Sequence, residues 1–182
     1  MKTAILLHGT EGNSQSGWLQ WLKFQLEEQG AQVWVPDLPR PEYPSLQEWS
    51  DYVIENSPFA LAENTALIGH SAGAVAALII TQKLDSPVGK IVSVASFKSM
   101  DHLDFPANDR IFDIDFDFGK IKQNCKDIVF IHSDNDPYCP LEQAEYLSKK
   151  TNGKLIVMPG QKHFNIEASP DFSRFPEILY FL

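Results

Sequence analysis

Gly69-His70-Ser71-Ala72-Gly73 places one serine hydroxyl between two glycines, where an apolar run gives way to an alanine-rich one. The Gly-x-Ser-x-Gly spacing is that of a nucleophile elbow, in which a strand turns sharply, presents a serine and continues as a helix. The glycines are needed because a turn this tight leaves no space for a Cβ at either position. The serine is expected to sit in a strained backbone conformation that pushes Oγ outward. A hydroxyl alone is a weak nucleophile. It needs a base within hydrogen-bond reach, and that base needs a third group to orient it.

Both partners are present in the order Ser, acid, His that this kind of site requires. The acid is expected in Ser133-Asp134-Asn135-Asp136-Pro137-Tyr138-Cys139-Pro140. Asp136 is the choice, since Pro137 and Pro140 can fix the loop that aims it. Asp134 is the alternative, with capping of its own turn as its other role. The base is expected in Pro159-Gly160-Gln161-Lys162-His163-Phe164, and His163 is the only histidine beyond the acidic loop. An acyl-transfer site also needs an oxyanion hole. One donor should be the Ala72 backbone N–H, directly after the serine. The other should come from His8-Gly9-Thr10-Glu11-Gly12-Asn13, with Thr10 the expected residue. That loop lacks the Gly-Lys-Ser/Thr ending of a phosphate cradle and the spacing of a dinucleotide fingerprint, so it is not read as either.

Alternating short apolar runs and helical patterns must position these groups, which indicates an α/β fold with a parallel sheet covered on both faces. Strands are expected at 2–7, 32–35, 65–68, 90–95, 128–132 and 154–158. Helices are expected at 18–29, around 46–55 behind a Ser45 cap, at 73–84, at 141–150 and at 175–182. Pro36, Pro39, Pro41 and Pro44 make 37–44 a loop, in which Asp37 is read as an anchor. Residues 99–122 fit neither pattern, with Phe105, Phe112, Phe116 and Phe118 among six aspartates. They lie on the side of the sheet where ligands bind in open α/β folds. Trp18, Phe97, Phe116, Phe118, Tyr138 and Phe164 are therefore the candidate walls of a substrate pocket. His70 is expected to pack or bond behind the elbow and His132 to be buried beside the acidic loop, while His102 carries no pattern.

The 182 residues suffice for one domain, 1–182, with 43% hydrophobic and 21% charged residues. A net charge of −9 makes nucleic acid and anionic membranes poor partners. Cys125 and Cys139 make neither a disulfide framework nor a metal site, and Cys139 is read as a small buried hydrophobe. No cofactor or metal spacing is evident. The first apolar run is too short for an export signal, and no run reaches membrane-span length, so a cytoplasmic location is expected.

Taken together, the elbow, Ser16-Gly17-Trp18-Leu19-Gln20-Trp21, Lys120-Ile121-Lys122-Gln123-Asn124-Cys125, the Asp136-Pro137 loop and His163-Phe164 resemble the α/β-hydrolase superfamily. The resemblance spans nearly the whole chain. It is to the small capless branch typified by retinoblastoma-binding protein nine and YdeN-like proteins. It implies six parallel strands in the order 2-1-3-4-5-6 and a triad of Ser71, Asp136 and His163. Lys162 stands where related chains usually carry glycine. The Leu-x-Cys-x-Glu motif for a retinoblastoma partner is absent. The expected function is hydrolysis of small or short-acyl carboxylic esters through an acyl-enzyme. An amidase or peptidase on the same triad, or a non-catalytic interaction module with a remnant site, are the alternatives. Oligomeric state is not legible in the chain.

Overall fold

Six parallel strands form one sheet in the order β2-β1-β3-β4-β5-β6. The structure is a computed structural model that describes residues 1–99 and 114–182. In chain order the elements are β1 (Thr3–Leu7), α1 (Leu19–Glu28), β2 (Gln32–Trp34), α2 (Leu46–Asn56), β3 (Thr65–His70) and α3 (Ala72–Lys83). They continue with β4 (Lys90–Val94), α4 (Phe118–Asn124), β5 (Ile128–His132), α5 (Leu141–Thr151) and β6 (Lys154–Val157).

The period of two along each strand sorts side chains onto two faces. Ile5, Leu7, Leu67, Ile91 and Phe130 point to one core, which Trp49 and Val53 of α2, most of α3 and Leu147 of α5 complete. Ala4, Leu6, Ile68, Val92 and Ile131 point to the other, closed by Leu19, Leu22 and Leu26 of α1 with Phe172, Phe175 and Ile178. α3 is buried from Ala72 through Thr81, as expected of a helix apolar on all sides. Ser45 caps α2 by accepting the Glu48 N–H.

Two expectations are corrected. The closing helix is a 3-10 helix and runs over Pro176–Phe181, one residue shorter at each end than expected. The irregular region contains α4, whose start Asp117 caps through the Lys120 N–H. Asn124 at its end donates to the Thr81 carbonyl of α3 and to that of Leu84, which caps α3. His102, Phe105, Phe112, Asp101, Asp104, Asp109 and Asp113 lie outside the described residues.

The strand order places the site. The order in which strands are added reverses between β1 and β3, and open α/β sheets bind ligands at the carboxyl ends of strands at such a switch point. Leu7 pairs with Gly69 there, so the loop after β1 and the turn after β3 leave the sheet side by side.

Candidate active site

The elbow has the geometry its residue types require. Ser71 sits at φ 53°, ψ −122°, between the end of β3 and the first turn of α3. A non-glycine residue there is strained and must be held by its surroundings. The holding contacts are the Ser71 N–H on the Val94 carbonyl at 2.9 Å and the Ala74 N–H on the Ser71 carbonyl at 3.0 Å. A Cβ on Gly69 would stand 2.3 Å from the Gly73 carbonyl oxygen, and one on Gly73 2.4 Å from the Leu7 and His8 carbonyl oxygens. The Ser71 side chain has no hydrogen-bond partner among the described residues and borders a cavity of about 770 Å³.

His163 borders the same cavity. Its Nδ1–H donates to Asp136 Oδ2 at 2.8 Å, which leaves Nε2 as the basic nitrogen. Asp136 Oδ1 accepts the Tyr138 and Cys139 N–H groups, each at 2.9 Å. Burial works against the Asp136 charge. The imidazole donor and the two backbone donors outweigh it and hold the carboxyl below the ordinary carboxylate range. Asp134 does something else: its Oδ1 accepts the Gly160 N–H at 2.8 Å.

That contact belongs to a set that the sequence reading missed. Ser133 Oγ accepts the Gln161 N–H at 2.9 Å, and Asn135 Oδ1 accepts the Lys162 N–H at 2.8 Å. Three consecutive side chains of the acidic loop thus take three consecutive N–H groups leading to His163. The only signal in the sequence was the run of short polar residues Ser133-Asp134-Asn135, which reads as turn chemistry. His132 pins the far end of the same loop, its Nε2–H donating to the Cys139 carbonyl at 2.7 Å. Its other ring nitrogen is buried without a partner among the described residues.

His163 is also held from the Ser71 side. His70 Nε2–H donates to the His163 carbonyl at 2.7 Å, and the two rings lie 4.9 Å apart. Burial pushes His70 down to about 3, so it is a neutral donor at any ordinary pH. Trp18 Nε1–H donates to the neighbouring Phe164 carbonyl at 3.2 Å. Its ring meets His70 edge-on.

The loop after β1 closes the other side. His8 is buried, with Nε2 accepting the Leu38 N–H at 2.9 Å and Nδ1–H donating to the Gly9 carbonyl at 2.8 Å. Burial lowers its pKa, and Trp49 packs edge-on against it. Asp37 accepts the Ser14 N–H, in keeping with its reading as an anchor. Thr10 borders the cavity. The Ala72 N–H belongs to the first turn of α3, where backbone donors have no partner within the helix.

Of the expected pocket walls, Trp18, Phe97, Tyr138 and Phe164 border the cavity. Tyr138 stands edge-on to His163 at 5.0 Å between ring centroids. Phe116 and Phe118 do not border it. They stack on each other at 5.3 Å, and Phe118 meets Tyr146 of α5. The cap at Asp117 turns this stretch into α4, which packs against α3 and α5. The cavity also gains Leu19 and Ile166 and three carboxylates, Glu11, Glu42 and Glu167.

A six-stranded sheet of this order, with an elbow at its switch point, defines an α/β-hydrolase. The chain belongs to the serine hydrolase family, whose model, described as "Serine hydrolase", matches residues 4–182. YdeN of Bacillus subtilis (strain 168) is 30% identical over 166 residues, covering 90% of this chain and 86% of YdeN. The serine hydrolase RBBP9 of Rattus norvegicus is 25% identical over 164 residues, covering 88% and 86%. The crystal structure of the B. subtilis ydeN product superposes with a TM-score of 0.86 at 28% identity, covering 98% of this chain and 95% of that one. Est1E of Butyrivibrio proteoclasticus with ferulic acid bound shares the fold, with a TM-score of 0.68 at 16% identity over 100% and 89%. The protein is therefore a hydrolase with an expected small-molecule substrate. Among the described residues no helix is long and apolar enough to cross a membrane.

Proposed function

We propose that Ser71, His163 and Asp136 are a catalytic triad that cleaves small or short-acyl carboxylic esters through an acyl-enzyme. The observation that carries this reading is the 2.8 Å contact of Asp136 with His163 Nδ1, beside a cavity shared with Ser71. As substrate settles, the Ser71 hydroxyl closes on His163 Nε2, as such contacts commonly tighten only in the complex. His163 takes the serine proton while Oγ adds to the acyl carbon. It then returns the proton to the leaving alkoxide, and water repeats the sequence to release the acid. The Thr10 and Ala72 N–H groups receive the oxyanion. Removal of one such donor in comparable enzymes costs about 10²–10³ in turnover.

The cavity size falls within the common range for small ligands, and the family branch lacks a cap. Apolar walls suit a short acyl chain. Glu11, Glu42 and Glu167, with no Lys or Arg among the described lining residues, disfavour anionic esters.

The test is intact-mass labelling with a fluorophosphonate on the native chain, Ser71→Ala and His163→Ala. One adduct on the native chain and none on either variant is the expected result. Correctly folded native protein that takes no adduct would overturn the reading.

A further inference from the structure

We propose that Asp136, Cys139 and His163 form an inhibitory site for a thiophilic divalent cation, of which zinc is the type. One ligand atom from each of the three lies within 4.8 Å of the others. The spacing in sequence hides this, because His163 arrives from a different loop. Cys139 has no part in the proposed ester chemistry, yet it borders the cavity beside His163. Sulfur, imidazole nitrogen and carboxylate oxygen are the donor set zinc prefers. It binds them at about 2.3 Å for sulfur and about 2.0–2.2 Å for nitrogen and oxygen. Donors this close need to move by only about an ångström to meet one ion. Three protein ligands leave the fourth position to water from the cavity, as in open zinc sites.

The ligands are also supported from behind. Asp136 Oδ1 is occupied by two backbone N–H groups, which leaves Oδ2 for the ion. The Cys139 backbone is held at its N–H by Asp136 and at its carbonyl by His132. Outer contacts of this kind orient metal ligands. Burial raises the Cys139 thiol, so the free protein holds it protonated, and the cation must displace that proton.

The proton balance explains why the site would inhibit. Binding releases the Cys139 proton to solvent as the Cys139 Sγ–metal bond forms. The His163 proton, on Nδ1 in the free protein, moves through solvent to Nε2 as Nδ1 takes the metal. No electron changes hands. His163 Nε2 then carries a hydrogen and has no lone pair for the Ser71 proton. This last consequence rests on His163 being the base; the metal site itself does not.

The experiment is a cobalt(II) titration of the full chain, read by the near-ultraviolet thiolate-to-cobalt absorption, with zinc as competitor. The band is expected in the native protein and in Cys125→Ala, absent in Cys139→Ala, and removed by zinc. Cys139→Ser serves in place of Cys139→Ala if the latter does not fold. Zinc should inhibit ester turnover reversibly, with a chelator restoring it. Cys139→Ala, relative to its own metal-free rate, should need on the order of tenfold more zinc or higher. Loss of an outer-shell partner alone costs about 10–100-fold in affinity, and a direct ligand should cost no less. No thiolate band in the native chain, or an equal band in Cys139→Ala, overturns the proposal. A native chain that shows the band but no metal-free turnover would sink the hydrolytic reading and leave the site standing.

Discussion

His70 Nε2 lies 2.7 Å from the carbonyl oxygen of His163, so the residue next to the candidate nucleophile holds the backbone of the candidate base. The contact spans 93 positions of sequence and ties the elbow to the loop after β6. His70→Ala should therefore act through His163 and not on substrate. A base misplaced by an ångström can cost about 10²-fold in turnover. We expect kcat to fall by about 10- to 100-fold with KM little changed. An equal fall in kcat/KM carried entirely by KM would refute the positioning role.

The two candidate acids should separate cleanly by kinetics. Asp136→Asn removes the partner that selects the Nδ1–H tautomer, and comparable substitutions lower turnover by about 10⁴. Asp134→Asn keeps an oxygen for the Gly160 N–H and should stay within about tenfold of native. Steady-state rates on one short-acyl ester decide this, and the reverse ranking would reassign the acid.

Two glycines should fail in different ways. A Cβ on Gly73 meets backbone oxygens of Leu7 and His8 at 2.4 Å, and only movement of β1 or α3 can relieve that. Gly73→Ala should destabilise by several kcal/mol, more than the ~1–3 kcal/mol of ordinary overpacking. A Cβ on Gly9 meets the Ser71 Cβ at 3.0 Å, which a shift of a few tenths of an ångström relieves. Gly9→Ala should keep most of its stability and lose activity, because the atom that gives way carries the candidate nucleophile. Urea midpoints beside rates test both.

Acid should destabilise the protein earlier than its carboxylates require. Burial lowers His8, His70 and His132 from 6.5, with His70 down to about 3. Below pH 6.5 the unfolded chain binds protons at these sites that the folded chain refuses. Their contribution is complete above that pH and is lost as pH falls toward the folded values. Each histidine adds up to about 1.4 kcal/mol per pH unit to the slope while it stays neutral in the folded state. Urea midpoints should be level from pH 7.5 to about 7 and then fall steadily from about 6.5 to 5. A flat profile would show that the buried rings are not held neutral.

Lys162 adopts φ 52°, in the left-handed region that glycine enters freely. Its N–H to Asn135 survives substitution. Lys162→Gly should relieve roughly 1–2 kcal/mol of strain and return about 0.4–1 through the freer unfolded chain. A net gain of up to about 1 kcal/mol in thermal or urea unfolding is expected. A loss would show that the Lys162 side chain contributes more than its exposed position suggests.

Wherever one local requirement settled the outcome, the chain was legible without coordinates. The elbow is such a case, because strand, turn and helix are neighbours in sequence and only glycine fits at 69 and 73. The strand-helix alternation and the position of Asp136 and His163 on successive loops are others. Contacts between segments distant in sequence were decided only by the tertiary structure. Nothing local says that Ser133, Asp134 and Asn135 receive the three N–H groups before His163, or that His70 reaches its carbonyl. Nor does anything local say that Phe116 and Phe118 turn toward α5, or that Cys139 comes to rest beside Asp136 and His163. The physical reason is that hydrogen-bond and packing partners are chosen by proximity in space. That proximity exists only after the sheet has brought the ends of β1, β3, β5 and β6 to one edge.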